Sequence, residues 1–564
     1  MSTIRLIGAF AALSLSTLCP AAGQAPQDPG DRPGWEAALA RYKQTITRKP
    51  FSHHTEGRER IAQTRTPEAL AILVSDYSKP QAFPEYTRYT IATLIGRHFD
   101  RLDDIAPLQA LRRGFTKPID TWMWVQALRI EIDRTDDQEA LAIVRDGKNV
   151  HQRAAAIAAI GNSRVGNVKA AIVPVCLDFP KKESDRNLLI GAMTGALWEN
   201  RKRVNDTEYR EALEAYISLM APEVDLGHTI KVQMARHLQA ILDTPAMWVD
   251  AEPWLEILRR GEVKQRPDNG TSASPSFFGI TTDGERFCYV IDMSDSMLKQ
   301  IEPSAKPDLV PETGPRKKKK KRAVLDESDL PWHLIHTRWD LAREQLRISL
   351  SRLTPEKYFA IVWFGSDAGT LDACKGMIKA TKANVDRVMK ELDAVDPVMP
   401  DKVPAQERAD FPDGKLRGDT NMHAGLRRAF ALAGKGFVDE PAYVDPEALT
   451  EGCDTIFLVS DGRPSADDFR IVDKDYGEGN VVTNHESKAA AQRTPSLWYH
   501  GPYDQDEWLV EDVRRMNSFR RIRLYAIGIG EANMRLLERL AEIGNGEAFP
   551  FGKKQNGDGG DDKK

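Results

Sequence analysis

RFCYVIDMSDSM occupies residues 286–297, and its reading decides the fold of the second half of the chain. Phe287 to Ile291 is an unbroken apolar run, shorter than a helix needs and suited to a strand buried on both faces. Asp292, Ser294 and Ser296 alternate along the loop that follows and can turn three oxygens toward one point. Runs of the same kind recur as YFAIVWFGS from Tyr358, TIFLVSDG from Thr455, IRLYAIGIG from Ile522 and the short EAFPF from Glu547. Between them lie segments of helical period, such as WDLAREQLRISLSRL from Trp339 and NMRLLERLAEIG from Asn533. Strands alternating with helices predict an α/β doubly wound, Rossmann-like parallel sheet. Ligands of such sheets bind outside the carboxyl ends of the strands, which is where Asp292 falls.

Two further oxygen-rich turns follow. Gly418-Asp419-Thr420-Asn421 opens a helix, and Ser460-Asp461-Gly462 closes the strand begun at Thr455. Hydroxyls and carboxylates together suit a hard divalent cation. Taken together, DMSDSM, GDTN and FLVSDG resemble the three parts of the metal-ion-dependent adhesion site (MIDAS) of the von Willebrand factor A (vWA) domain. The closing IRLYAIGIGEANMRLLERLAEIGNGEAF is similar to that family's last strand–helix–strand unit, and the likeness spans residues 284–553. The resemblance implies that Ser294, Ser296 and Thr420 contact Mg²⁺ or Mn²⁺ directly, with Asp292 and Asp461 acting largely through water. One coordination position would remain for an acidic side chain of a protein partner. Asp295 departs from the family, many members of which have glycine there. Two insertions are long, at about 300–337 and 464–504, and a Pro- and Asp-rich stretch from Val395 to Lys415 precedes Thr420. The first insertion carries the basic run Arg316 to Arg322, which reads as a solvated loop in preference to a polyanion-binding patch. Trp498, Tyr499 and Tyr503 of the second read as a small local core.

The first half is different. Residues 1–23 have the form of a signal peptide: a basic start at Arg5, an apolar run from Leu6 to Leu18, then small residues. Leu18 before Cys19 argues against lipoprotein anchoring. Residues 24–34 are a polar linker. From 35 to 260 apolar residues recur at helical spacing, with Gly and Pro as punctuation. Similar helices start near Glu85, Ile119, Val150 and Ser184. Arg88, Arg153 and Arg186 fall at multiples of about 33 residues, the period of stacked helix pairs. The region resembles HEAT-type repeats; an irregular helical bundle is the alternative. Residues 261–283 read as a second linker, so the halves are expected to be separable, and the tail 554–564 reads as disordered.

A net charge of −4 gives no global case for nucleic acid, and no segment after the signal is long and apolar enough to span a bilayer. Cys176, Cys288, Cys374 and Cys453 match no zinc spacing. With Asp292 and Asp461 level on neighbouring strands, Cys288 and Cys453 would be offset by four residues, too far for a disulfide. His53 and His54, adjacent on a helix, read as surface residues. The sequence contains no His-Glu-x-x-His, no phosphate-binding Gly-rich loop with Lys-Ser and no Gly-x-Ser-x-Gly. The expected function is therefore metal-dependent protein–protein binding outside the cytoplasm, periplasmic or extracellular, and not catalysis. A metal-dependent hydrolase or phosphatase, or a structural surface component, is the alternative.

Overall fold

The computed structural model describes residues 34–47, 52–79, 84–114, 117–261, 276–301, 325, 327–395, 415–468 and 502–551. The expected signal peptide, the basic run, most of the second insertion and the C-terminal tail lie outside these residues.

Among the described residues the first half is helical. It comprises α1 (Trp35–Thr45), α2 (Ser52–Thr64), α3 (Pro67–Ser78), α4 (Pro84–His98), α5 (Ala106–Arg113), α6 (Thr121–Arg134) and α7 (Gln138–Asp146). It continues with α8 (Val150–Asn162), α9 (Val168–Leu177), α10 (Glu183–Glu199), α11 (Thr207–Ser218), α12 (His228–Ile241) and α13 (Ala251–Arg260). The four segments singled out by their spacing are α4, α6, α8 and α10. They pack side by side in that order, and α10 then meets α12. A second row runs α7, α9, α11, α13. This is a two-layer stack of helix pairs, each covering a face its neighbour cannot bury alone. Asn149 and Asn167 cap α8 and α9 through their side chains, which fixes where those helices start. Small residues set the spacing. A Cβ on Gly161 would stand 2.4 Å from the Cα of Ala196, so α8 and α10 touch backbone to backbone.

His53 and His54 are buried, not on the surface, because α2 is covered by α1, α3 and α4. Burial also pushes two other imidazoles, His98 and His237, down to about 3. An unfolded histidine titrates near 6.5. Between those values only the unfolded chain takes up the proton, so stability is complete above about pH 6.5 and is lost as pH falls toward 3. Each histidine can cost about 1.4 kcal/mol per pH unit across that window. The urea midpoint should therefore drop between pH 7 and pH 5, and His98→Gln should flatten the drop. An unchanged slope in that variant would show that His98 does not contribute.

The second half is a sheet between helices. Strands β3 (Arg286–Asp292), β4 (Tyr358–Phe364), β7 (Thr455–Ser460), β8 (Arg523–Ile529) and β9 (Ala548–Phe551) are parallel. The order is β5-β4-β3-β7-β8-β9. Short antiparallel strands β5 (Ala368–Thr370) and β6 (Ile378–Lys379) pair with β4. Side chains alternate along β3. Phe287, Tyr289 and Ile291 face α14 (Arg338–Arg352) and α15 (Lys382–Asp393). Cys288 and Val290 face α16 (Met422–Ala431), α18 (Asp506–Asn517) and α19 (Met534–Ile543); the short α17 (Pro446–Glu451) meets α10. The chain leaves β3 toward β4 on one side and later places β7 on the other. The gap between the carboxyl ends of β3 and β7 is thus the switch point where open α/β sheets bind ligands.

Three expectations change. Residues 276–283 do not behave as linker: β1 (Ser276–Phe277) and β2 (Ile280–Thr281) form a hairpin that sinks Phe277 against Tyr289 and Phe457. The register of β3 on β7 is Ile291 with Val459, so Asp292 lies level with Ser460, and Asp461 stands one residue beyond. Cys288 pairs with Ile456, three residues from Cys453 and not four. The four described cysteines are free, so Cys288 and Cys453 are not bridged, as expected; the Cys453 thiol donates to the Ala429 carbonyl at 3.6 Å.

The halves, expected to be separable, share a core: Tyr443, Tyr503, Trp508 and Phe519 of the second half sit in the hydrophobic core of the first. A Cβ on Gly191 would meet the carbonyl oxygen of Phe519 at 1.9 Å, so α10 lies directly on that backbone. Polar contacts reinforce the seam. The Trp122 amide donates to the Tyr443 hydroxyl at 2.9 Å, and the Tyr89 hydroxyl donates to Glu440 at 3.2 Å. Arg236 of α12 reaches the backbone carbonyl of Asp454 at 3.2 Å and its carboxylate at 3.4 Å, at the amino end of β7.

Candidate metal centre

Three loops meet at the switch point. Asp292 ends β3, and the loop after it carries Ser294 and Ser296. The turn before α16 carries Thr420, and the turn just after β7 carries Asp461. Backbone hydrogen bonds join the first two: Arg417 donates to the Met293 carbonyl at 3.0 Å, and Asp295 donates to that of Gly418 at 3.3 Å. Asn421 caps α16 by accepting from the Ala424 amide at 3.0 Å, which holds Thr420 at the mouth of the helix.

The structure brings four of the five expected residues into one hydrogen-bonded chain. Asp292 Oδ1 accepts from the Ser294 amide at 2.9 Å and from the Ser294 hydroxyl at 2.6 Å. Ser296 Oγ donates to Asp461 Oδ1 at 2.6 Å. The two serine oxygens are 3.0 Å apart. Thr420 lies next to Gly462, the residue after Asp461: a Cβ on Gly462 would be 3.6 Å from Thr420 Oγ1. The Thr420 amide donates to Ser465 Oγ at 3.0 Å. Asp292 and Asp461 are fully buried, while Ser296 is partly open to solvent. Burial first, and then the Asp461 carboxylate, push the Asp292 carboxyl up to about 7. Asp295 is exposed at the rim of the site, and partial loss of water around its carboxyl, with the nearby Asp419 and Asp461, raises it as well.

Three neighbours were not among the expected site residues. Ser460 donates to Asp292 Oδ2 at 2.8 Å, a contact created by the observed strand register. Ser465 supports Thr420. Arg338 Nη1 lies 2.6 Å from Asp461 Oδ2. The capping box Thr337/Asp340 is legible in the sequence and starts a helix at Arg338, but spacing alone does not say what that helix end meets.

Among the described residues no three of His, Cys, Asp or Glu gather in a metal-binding group, so a metal here depends on hydroxyls. The donor set fits a hard divalent ion. With both carboxylates ionised, each serine spends its proton on an aspartate. The two serine oxygens lie 3.0 Å apart, close enough to share one ion. Neighbouring ligands of an octahedral ion at ~2.1 Å are also about 3.0 Å apart. Such an ion would be held by Ser294, Ser296 and Thr420 and would supply Lewis acidity toward an incoming anion. No family model matches this chain, and no curated protein matches it.

Proposed function

We propose that residues 284–553 form a vWA domain that binds the acidic side chain of a protein partner through Mg²⁺ or Mn²⁺. Ser294, Ser296 and Thr420 contact the ion, and Asp292 and Asp461 orient the serines and hold water. The observation that carries this reading is the pair of serine oxygens 3.0 Å apart, each 2.6 Å from a buried aspartate carboxylate. Neutral ligands leave most of the ion's charge unspent, so it attracts a carboxylate. In this reading the helical half is a HEAT-like scaffold, and Arg5 with the apolar run to Leu18 exports the chain.

The test is calorimetric titration of the full chain with Mn²⁺, followed by acetate as the simplest carboxylate. One ion per chain is expected, with acetate adding only to the loaded protein. Thr420→Ala removes one neutral oxygen. It should keep the melting temperature and weaken Mn²⁺ binding about tenfold. No heat with Mn²⁺ would overturn the proposal. Mn²⁺-dependent hydrolysis of p-nitrophenyl phosphate would move the site to a hydrolase.

A further inference from the structure

The contact at Asp461 Oδ2 has no counterpart in the reading above. Arg338 is the first residue of α14, and its side chain is 8% exposed. Three features fix it there. The Thr337/Asp340 capping box sets the start of the helix. The Arg338 amide donates to the Lys299 carbonyl at 3.1 Å, tying that start to the loop after Ser296. Gly530, at φ +64°, leaves room for the guanidinium, whose atoms would lie only 2.7–3.0 Å from a Cβ at that position. A cation in the first turn of a helix opposes the helix dipole, so helix stability does not account for an arginine there.

Charge counting gives it a role. With both carboxylates ionised, Asp292 and Asp461 alone give the buried site two negative charges, and a divalent ion makes it neutral. With Arg338 the site starts at one negative charge, and the loaded site carries one positive charge. A single carboxylate then neutralises it. Asp295 is open to water and Asp419 partly so, which screens them and makes them count for less. In a buried site the inner charges interact strongly, so the count governs affinity. Resting on the reading of this site as a divalent-cation site, we propose that Arg338 is a specificity residue that lowers metal affinity and raises the loaded site's affinity for a carboxylate. The partner class that follows is a monoanionic carboxylate side chain presented singly. A phosphate dianion or a pair of carboxylates would leave the site overcharged.

The test uses the full chain with Mn²⁺, then acetate added to the Mn²⁺-saturated protein and followed by water-proton relaxation. Arg338→Met should bind Mn²⁺ about tenfold more tightly and acetate about tenfold more weakly. Arg338→Lys keeps the charge and should move both constants much less. Should Arg338→Met lose its near-ultraviolet circular dichroism, Arg338→Gln serves, since it keeps a donor for Asp461 without the charge. Equal or weaker Mn²⁺ binding in the neutral variant overturns this inference, provided that wild type binds the ion far more tightly than Asp292→Asn does. Absence of Mn²⁺ uptake by wild type overturns the metal reading itself, so the two failures are told apart.

Discussion

Arg515→Ala should destabilise the folded chain by about 3–5 kcal/mol, the cost of stripping one partner from a buried ion pair. Arg515 Nε donates to Asp512 Oδ1 at 2.7 Å, and both side chains are almost fully buried. Its guanidinium also lies 3.6 Å from the centre of the Tyr89 ring and 5.2 Å from that of Tyr443. One side chain thus binds α18 to α4 of the helical half. Burial alone would raise the Asp512 carboxyl, but Arg515 and the His423 imidazole at 2.8 Å outweigh it and hold the group well below the usual carboxylate range. Without Arg515 that carboxylate remains in the interior with only His423 to answer it. Alanine also removes the cation from the Tyr89 face, a smaller loss of about 1 kcal/mol. Urea unfolding followed by tryptophan fluorescence measures the sum. Because the seam runs through this contact, the variant should also melt in two steps where the wild type melts in one. A loss under 1 kcal/mol with a single transition would mean that apolar packing alone joins the halves.

Asp292→Asn should act in the opposite sense on fold and site. Mn²⁺ affinity should fall about a hundredfold, at the upper end for residues that orient ligands, since Asp292 positions Ser294 and supplies one of the two buried charges. The metal-free protein should be as stable as wild type or more so. Asn keeps an oxygen for the Ser294 amide and removes a charge that sits fully buried near Asp461. Calorimetry and a melting curve on the same sample separate the two effects. Undiminished Mn²⁺ uptake would disprove the site; a collapsed melting temperature would mean that Asp292 is chiefly structural.

The parallel sheet was legible because its strands are buried on both faces, so Phe287–Ile291, Ile456–Val459 and Leu524–Ile529 show as apolar runs with no periodicity to confuse. The helical character of the first half showed through apolar residues at helical spacing. Hairpin β1–β2 was hidden, because two-residue strands amid Pro, Gly and Ser look like linker until the Phe277 ring is seen to have a socket. The seam was hidden for a different reason. Tyr443, Tyr503, Trp508 and Phe519 have the composition of any core residue, and nothing local says which core they join. At the site, residues of the contiguous motifs could be read, whereas Ser460 needed the register and Arg338 needed the third dimension.

The Arg236–Asp454 contact has a mechanical meaning. It grips β7 at its amino end, while Asp461 stands just past the carboxyl end of the same strand. A tensile load applied to anything held at the site would run down β7 to α12 along the strand axis. Its ladders to β3 and β8 are parallel and would be loaded in shear, many hydrogen bonds at once, and not peeled open one by one. The helical half is then a footing on which the sheet is anchored, and one direct path from grip to footing is a single strand six residues long.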